Sequence, residues 1–365
     1  MTNRPPAPAS APPAFPGRGA GGNFVSAQRY GASGGEGIPM AIVGFPEFCA
    51  PVRILFGVGS RHRVAEALRA CGARRPIVVT DPGICAAGLV EPIVAALRGA
   101  GMEPHTFTEV VANPDLACVR AAAASARAAD GDSLLAIGGG SAMDTAKVAG
   151  ALLRYGGEPS DYEGVDRIPG PLPPLICIPT TCGTGSEVTA NAVITDPARR
   201  FKFTVRSHHL RPVAAFLDPE LLTTLPPAVV AATAIDALTH AIEAYTNRTW
   251  QPMCDAFARE AIRRIARSLR AGVAGDAAAR AELLLASTMA GIPLDHCGQG
   301  LVHAMSAPLG GRFGVPHGIA NAILLPYVTE YNHLENAAAY AEVARLLSDR
   351  PDADAGECAP LLRQL

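Results

Sequence analysis

The chain changes character at Pro226 and Pro227. Before them, from about residue 52 to 218, short apolar runs alternate with Ala-rich helical stretches. The apolar runs are Arg53–Phe56, 76–80, 104–108, 133–137 and 175–178; the helical stretches between the first four are 60–71, 86–99 and 114–129. Such alternation builds successive βαβ units around a parallel sheet. Residues 196–200 look like a turn between two further strands, 188–195 and 201–205. Beyond the two prolines the strand signals stop, and helical runs follow over 228–246, 252–271, 276–291, 297–306 and 335–348. The pattern predicts an α/β domain over 46–221 and an all-helical domain over 222–365. Residues 1–45 are rich in Pro, Gly, Ala and Ser, too poor in large apolar groups to offset their ordering entropy, and are expected to be disordered. No internal repeat is present.

Composition narrows the function. A length of 365 residues suits two domains, and 49% hydrophobic with 18% charged residues suits a globular enzyme. A net charge of −2 provides no basic surface for nucleic acid or anionic lipid. Nine cysteines occur without a CxxC pair, the usage of reduced thiols in the cytoplasm. Neither a signal-peptide core nor an apolar segment of bilayer-spanning length is visible, which points the same way. Of 31 basic residues only Lys147 and Lys202 are lysines. Against that bias, each marks a place suited to a flexible ammonium rather than a guanidinium fork.

Ile137 ends an apolar run and Gly138–Gly139–Gly140–Ser141 follows, opening a helix through Asp144 and Lys147. Consecutive glycines let a pyrophosphate approach the backbone, and the helix N-terminus then presents free N–H groups and partial positive charge. A second polar loop, 179–187, carries Thr180, Thr181, Thr184 and Ser186 after the run 175–178. In open parallel sheets ligands lie beyond the carboxyl ends of strands, where both loops fall. The first domain is therefore expected to be a Rossmann-like nucleotide domain. Asp81, closing the run 76–80, fits a ribose diol and would repel a 2′-phosphate, favouring NAD over NADP. It fits a helix cap equally well.

In the helical half, Asp236 and His240 lie four apart, on one face of a helix and able to share an ion. His303 lies near the end of a helical run and His317 in the loop 314–318. One carboxylate with three imidazoles suits Fe(II) or Zn(II). Asp236 with His240 reads equally well as an ordinary helix-face pair. Nothing in the spacing alone joins the two distant histidines to them.

Four segments together supply that link: GGGSAMDTAK (138–147), PTTCGTGSEVT (179–189), DALTHAIEAY (236–245) and GLVHAMSAPLGGRFGVPHGIANAILLP (300–326). In their order and spacing, roughly residues 50–350 resemble the iron-containing (group III) alcohol dehydrogenase family. The resemblance implies an N-terminal nucleotide domain and a C-terminal helical metal domain. It implies metal ligands at Asp236, His240, His303 and His317, and nucleotide contacts at Asp81, Asn113, Gly139, Gly140, Ser141, Asp144, Thr180, Thr181, Thr184, Asn191 and Lys202. Lys147 matches the motif too, but its helical position suits a structural role as well. The implied reaction is NAD-linked hydride transfer between a small alcohol and its aldehyde or ketone, in a homodimer or larger homo-oligomer. A metal Lewis acid would activate the substrate oxygen.

The chain also departs from the family pattern. Many relatives carry a second histidine four residues after the first metal histidine of the GLVH segment; here that place is Ala307, so water or another side chain would relay protons. Cys182 and Ala142 replace the more frequent Ala and Pro. The chain stops at Leu365, tens of residues earlier than the resemblance implies, and final helices walling the site are expected to be missing. Three other functions fit the same motifs: a dehydroquinate-synthase-like lyase using NAD transiently, a hydroxyacid–oxoacid transhydrogenase with Arg312 pairing a substrate carboxylate, and an inactive truncated relative.

Overall fold

The computed structural model describes residues 47–365, so the expectation for 1–45 lies outside the described residues. Chain order is β1 (Arg53–Phe56), α1 (Val64–Ala70), β2 (Pro76–Val79), α2 (Pro82–Ala86), α3 (Glu91–Gly99), β3 (His105–Phe107), α4 (Leu116–Ala128), β4 (Ser133–Gly138) and α5 (Gly140–Tyr155). It continues through β5 (Gly164–Val165), β6 (Leu175–Pro179), β7 (Asn191–Asp196), β8 (Phe201–Arg206) and β9 (Ala214–Leu217). Helices then follow: α6 (Pro227–Thr246), α7 (Pro252–Val273), α8 (Ala277–Cys297), α9 (Leu301–Phe313), α10 (His317–Asn332), α11 (Ala337–Ser348) and α12 (Cys358–Gln364).

Six strands form one parallel sheet in the order β1-β9-β6-β4-β2-β3. Its central strands β2, β4, β6 and β9 are buried along their whole length. That is why they read as unbroken apolar runs: helices cover both faces. Ile77, Val79, Leu134 and Ala136 point to one side, under α4 and α5. Val78, Leu135, Ile137, Ile176 and Ile178 point to the other, into a core that also holds Leu217, Leu222, Val230, Leu238 and Ile262. One continuous core therefore joins the sheet to the helical half. A small sheet, β5-β8-β7, contains the antiparallel β7/β8 hairpin.

The order of strands places the ligand crevice. From β2 the chain moves outward to β3, then returns past β2 to β4 and continues away through β6. The direction reverses between β2 and β4, and beyond their carboxyl ends an open α/β sheet takes its ligands. Asp81, the glycine run and the 179–187 loop all follow those strand ends.

Several boundaries differ from expectation. The stretch 86–99 is two helices, because Gly88 at φ 73° interrupts it. Strand β9, not anticipated from the sequence, is inserted between β1 and β6. Helix α8 runs past Pro293 to Cys297, where burial of the turn around Pro293 holds it; α9 accordingly begins at Leu301. His317, expected in a loop, is the first residue of α10. Beside it, a side chain on Gly318 would collide with the Ala232 carbonyl of α6, so only glycine lets α10 dock closely enough.

Candidate metal centre and nucleotide cleft

On the nucleotide side the two polar loops pack into one cradle. A Cβ on Gly140 would lie 2.7 Å from Thr184 Cγ2, and one on Gly139 3.2 Å from Thr181. The glycines thus admit the threonine loop. Ser141 is half-buried in the first turn of α5. Gly138, at φ 155°, faces Asp81, whose Oδ2 lies 3.6 Å from where a Cβ would stand. Asp81 also caps α2, accepting the Ile84 N–H at 3.0 Å, so both roles weighed from the sequence are compatible with its position. The Thr180 hydroxyl is buried with no hydrogen-bond partner.

Asn113 and Lys202 meet: Lys202 Nζ donates to Asn113 Oδ1 at 2.6 Å. Burial lowers the Lys202 ammonium pKa and attraction to Asp236 offsets part of that shift, so Lys202 feels the charge of the metal side. Two further expected nucleotide contacts, Asp144 and Asn191, are half-buried and have partners within the protein. Asp144 accepts the Ser186 hydroxyl at 2.7 Å and the Val193 N–H at 2.9 Å. Asn191 donates from Nδ2 to Asp295 at 3.4 Å, while its Oδ1 is buried without a partner.

The metal side is built on α6, α9 and α10. Asp236, His240 and Glu243 occupy one face of α6 and are all buried. His303 comes from α9 and His317 from α10. Asp236 Oδ1 is the hub: His240 Nε2 lies 3.6 Å away, His303 Nε2 3.6 Å and His317 Nε2 3.5 Å. Asp236, His303 and His317 present donor atoms all within 4.8 Å of one another. His240 stands outside that mutual set, but its ring stacks on His303 with centroids 4.7 Å apart.

Electrostatics favour a cation here. Burial alone would raise the Asp236 pKa, yet His240, His303 and His317 outweigh it and hold the carboxyl far below the ordinary range. Burial lowers His240 to about 4 against the pull of Asp236, and lowers His317 as well. For His303 burial is overcome by hydrogen bonds to Asp236 and Glu243, and its pKa is pushed up to about 9. Two buried carboxylates around one imidazole attract positive charge to that point.

Sequence reasoning missed two members of this centre. Glu243 Oε2 lies 2.6 Å from His303 Nδ1, and the same carboxylate accepts the Gly300 N–H at 2.8 Å and the Val302 N–H at 2.6 Å. It therefore caps α9 and turns the His303 Nε2 toward Asp236, the carboxylate–histidine arrangement of metal sites. Asn321, one turn after His317 on α10, donates from Nδ2 to Asp236 Oδ1 at 2.7 Å. Both were detectable as i+3 or i+4 partners of the named histidines. Ala307 is half-buried, and Arg312 is exposed at the end of α9.

These residues fit a borderline divalent ion. Donors that share one tetrahedral ion at about 2.1 Å lie about 3.4 Å apart, close to the spacings around Asp236 Oδ1. Hard ions favour all-oxygen shells, whereas imidazole nitrogens with one carboxylate suit Fe(II) or Zn(II).

Comparison with known proteins gives the same answer. Residues 51–219 match the family model described as iron-containing alcohol dehydrogenase, and residues 230–365 match that of the Fe-containing alcohol dehydrogenase family, C-terminal. The chain is 38% identical to the 1,3-propanediol dehydrogenase of Klebsiella pneumoniae over 307 residues, covering 83% of this chain and 79% of that protein. It is 37% identical to the NAD-dependent methanol dehydrogenase of Bacillus methanolicus, over 83% of this chain and 80% of that one. A crystal structure of 1,3-propanediol oxidoreductase superposes with a TM-score of 0.85 at 35% identity, covering 88% and 86% of the two chains. The chain belongs to the iron-containing alcohol dehydrogenase family. It is accordingly a metal-dependent oxidoreductase of alcohols and aldehydes, with NAD and Fe(II) as the family cofactors.

Proposed function

We propose that this enzyme interconverts small alcohols or diols with their aldehydes or ketones, using NAD held over the sheet's carboxyl edge and one Fe(II) or Zn(II) held by Asp236, His240, His303 and His317. The observation that carries this reading is the convergence of three imidazole Nε2 atoms on Asp236 Oδ1. Residues 46–221 carry the nucleotide and 222–365 the metal, with the substrate between them.

Each residue then has a task. The glycine run and Ser141 receive the pyrophosphate, with Thr180, Thr181 and Thr184 closing the cradle, and Asp81 accepts hydrogen bonds from the ribose diol. Asn113 and Lys202, already bonded, sit on the side facing the metal centre. Asp144 and Asn191 act by holding the cradle's walls rather than by touching the nucleotide. When bound, the ion supplies a Lewis acid for the substrate oxygen and the nicotinamide takes or gives the hydride. Glu243 keeps the His303 Nε2 aimed, and, since Ala307 carries no titratable group, the substrate proton leaves through water or another side chain.

No helix among the described residues is long and apolar enough to cross a membrane, and all nine cysteines are free thiols. Those thiols support a cytoplasmic enzyme, and we place it there as a homodimer or larger homo-oligomer.

The test is a panel of small alcohols and diols offered with NAD or NADP. Net formation of reduced nicotinamide, faster with NAD, is the expected outcome. Turnover only when a second oxoacid substrate is supplied points to the transhydrogenase. Product formation without net reduced nicotinamide points to the lyase, and either result sinks the proposal.

A further inference from the structure

We propose that Asn321 is a positioning residue of the metal centre: its amide sets the plane of the Asp236 carboxylate and through it the affinity for the cation. The proposal rests on the metal-dependent reading above. Asn321 is fully buried on α10, and the four-residue step from His317 turns both side chains toward α6. Its Nδ2 lies 2.7 Å from Asp236 Oδ1 and 3.3 Å from the Nε2 atoms of both His303 and His317. An amide nitrogen has two hydrogens for these three acceptors. The carboxylate bond is the short, charge-assisted one and takes one hydrogen; the other is left to the two longer imidazole contacts at 3.3 Å, which a cation held between those nitrogens would replace.

The other end of the amide strengthens the case. Asn321 Oδ1 is buried with no hydrogen-bond partner. A buried acceptor left unpaired is costly, and an apolar side chain of similar size would avoid that cost. An amide kept under those conditions is kept for its N–H. The reverse orientation would set oxygen against the Asp236 carboxylate, so the hydrogen-bond network assigns nitrogen inward. With one Oδ1 lone pair committed to Asn321, the other direction of that oxygen is fixed among the three imidazoles.

The experiment compares wild type with Asn321→Ala and with Asn321→Leu, which fills the space without restoring a donor. Apparent Zn(II) affinity is measured by chelator competition, and thermal stability with and without Zn(II). Both variants are expected to lose affinity by roughly tenfold to a hundredfold, with a correspondingly smaller metal-induced rise in Tm. An unchanged affinity with an equal loss of Tm in both forms makes Asn321 a packing residue and overturns the proposal. Tighter binding overturns it too, since the amide would then be competing with the cation for the same lone pairs. Zinc binding by wild type separates failure of the Asn321 role from failure of the metal reading; a wild type that binds none overturns both.

Discussion

His303→Ala is expected to remain folded, to retain no stoichiometric cation after dialysis, and to turn over alcohol slower by roughly 10³-fold or more. Losing one imidazole removes a donor from the group that converges on Asp236 and removes the ring stacked on His240. The fold should survive because Glu243 still caps α9 through the Gly300 and Val302 N–H groups. Lewis-acid stabilisation contributes several kcal/mol in metal enzymes, and each ~1.4 kcal/mol is tenfold in rate. Metal content by elemental analysis, circular dichroism and NADH formation read the three parts separately. Full metal and full activity in the variant would remove His303 from the ligand set.

Lys147→Met is expected to damage stability rather than chemistry. Lys147 is among the largest fully buried side chains, and the three hydrogens of its Nζ are shared among four oxygens: the Ser186 carbonyl at 2.7 Å, the Ser186 hydroxyl at 2.8 Å, Thr189 Oγ1 at 3.2 Å and the Asn191 carbonyl at 2.7 Å. The Ser186 hydroxyl in turn donates to Asp144. One ammonium thereby ties α5 to the segment that leads from the threonine loop into β7. Methionine fills the volume but leaves these acceptors dry and the Asp144 carboxylate without its neighbouring cation. Removing one partner of a buried charge network costs about 3–5 kcal/mol, which is roughly 10 °C in Tm for a domain of this size. Metal content should be preserved in whatever fraction folds. A variant that melts with wild type and binds NAD normally would refute the structural role assigned to Lys147.

The same residue shows how far the sequence reaches. That only two lysines occur among 31 basic residues drew attention to both positions, and each proved to be a place where an ammonium makes bonds. Composition could not tell that Lys202 bonds Asn113 beside the β7/β8 hairpin while Lys147 is sealed in the core. The parallel sheet was legible because strands covered on both faces must be apolar throughout, as β2, β4 and β6 are. Strand β9 was passed over, although its run Ala214–Leu217 is as short and as fully buried as β2.

In the metal centre, the i,i+4 spacing of Asp236 and His240 was visible, but the arrival of His303 and His317 is a tertiary fact that the family motifs alone anticipated. Glu243 and Asn321 lay inside those motifs and were passed over. Their value lies in bonds to groups distant in sequence, Glu243 to His303 and Asn321 to Asp236. The bonds of Asp144 to Ser186 and of Asn191 to Asp295 were hidden for the same reason: which partner a polar side chain finds is not revealed by spacing.

The central claim is that redox turnover depends on a cation held by this donor set. The most direct measurement strips the wild-type protein with a chelator, verifies that it remains folded, and follows NADH formation from a small alcohol as Fe(II) or Zn(II) is added back. The account predicts no turnover when stripped and a return of activity that saturates near one ion per chain. Undiminished NADH formation by the stripped protein would contradict it.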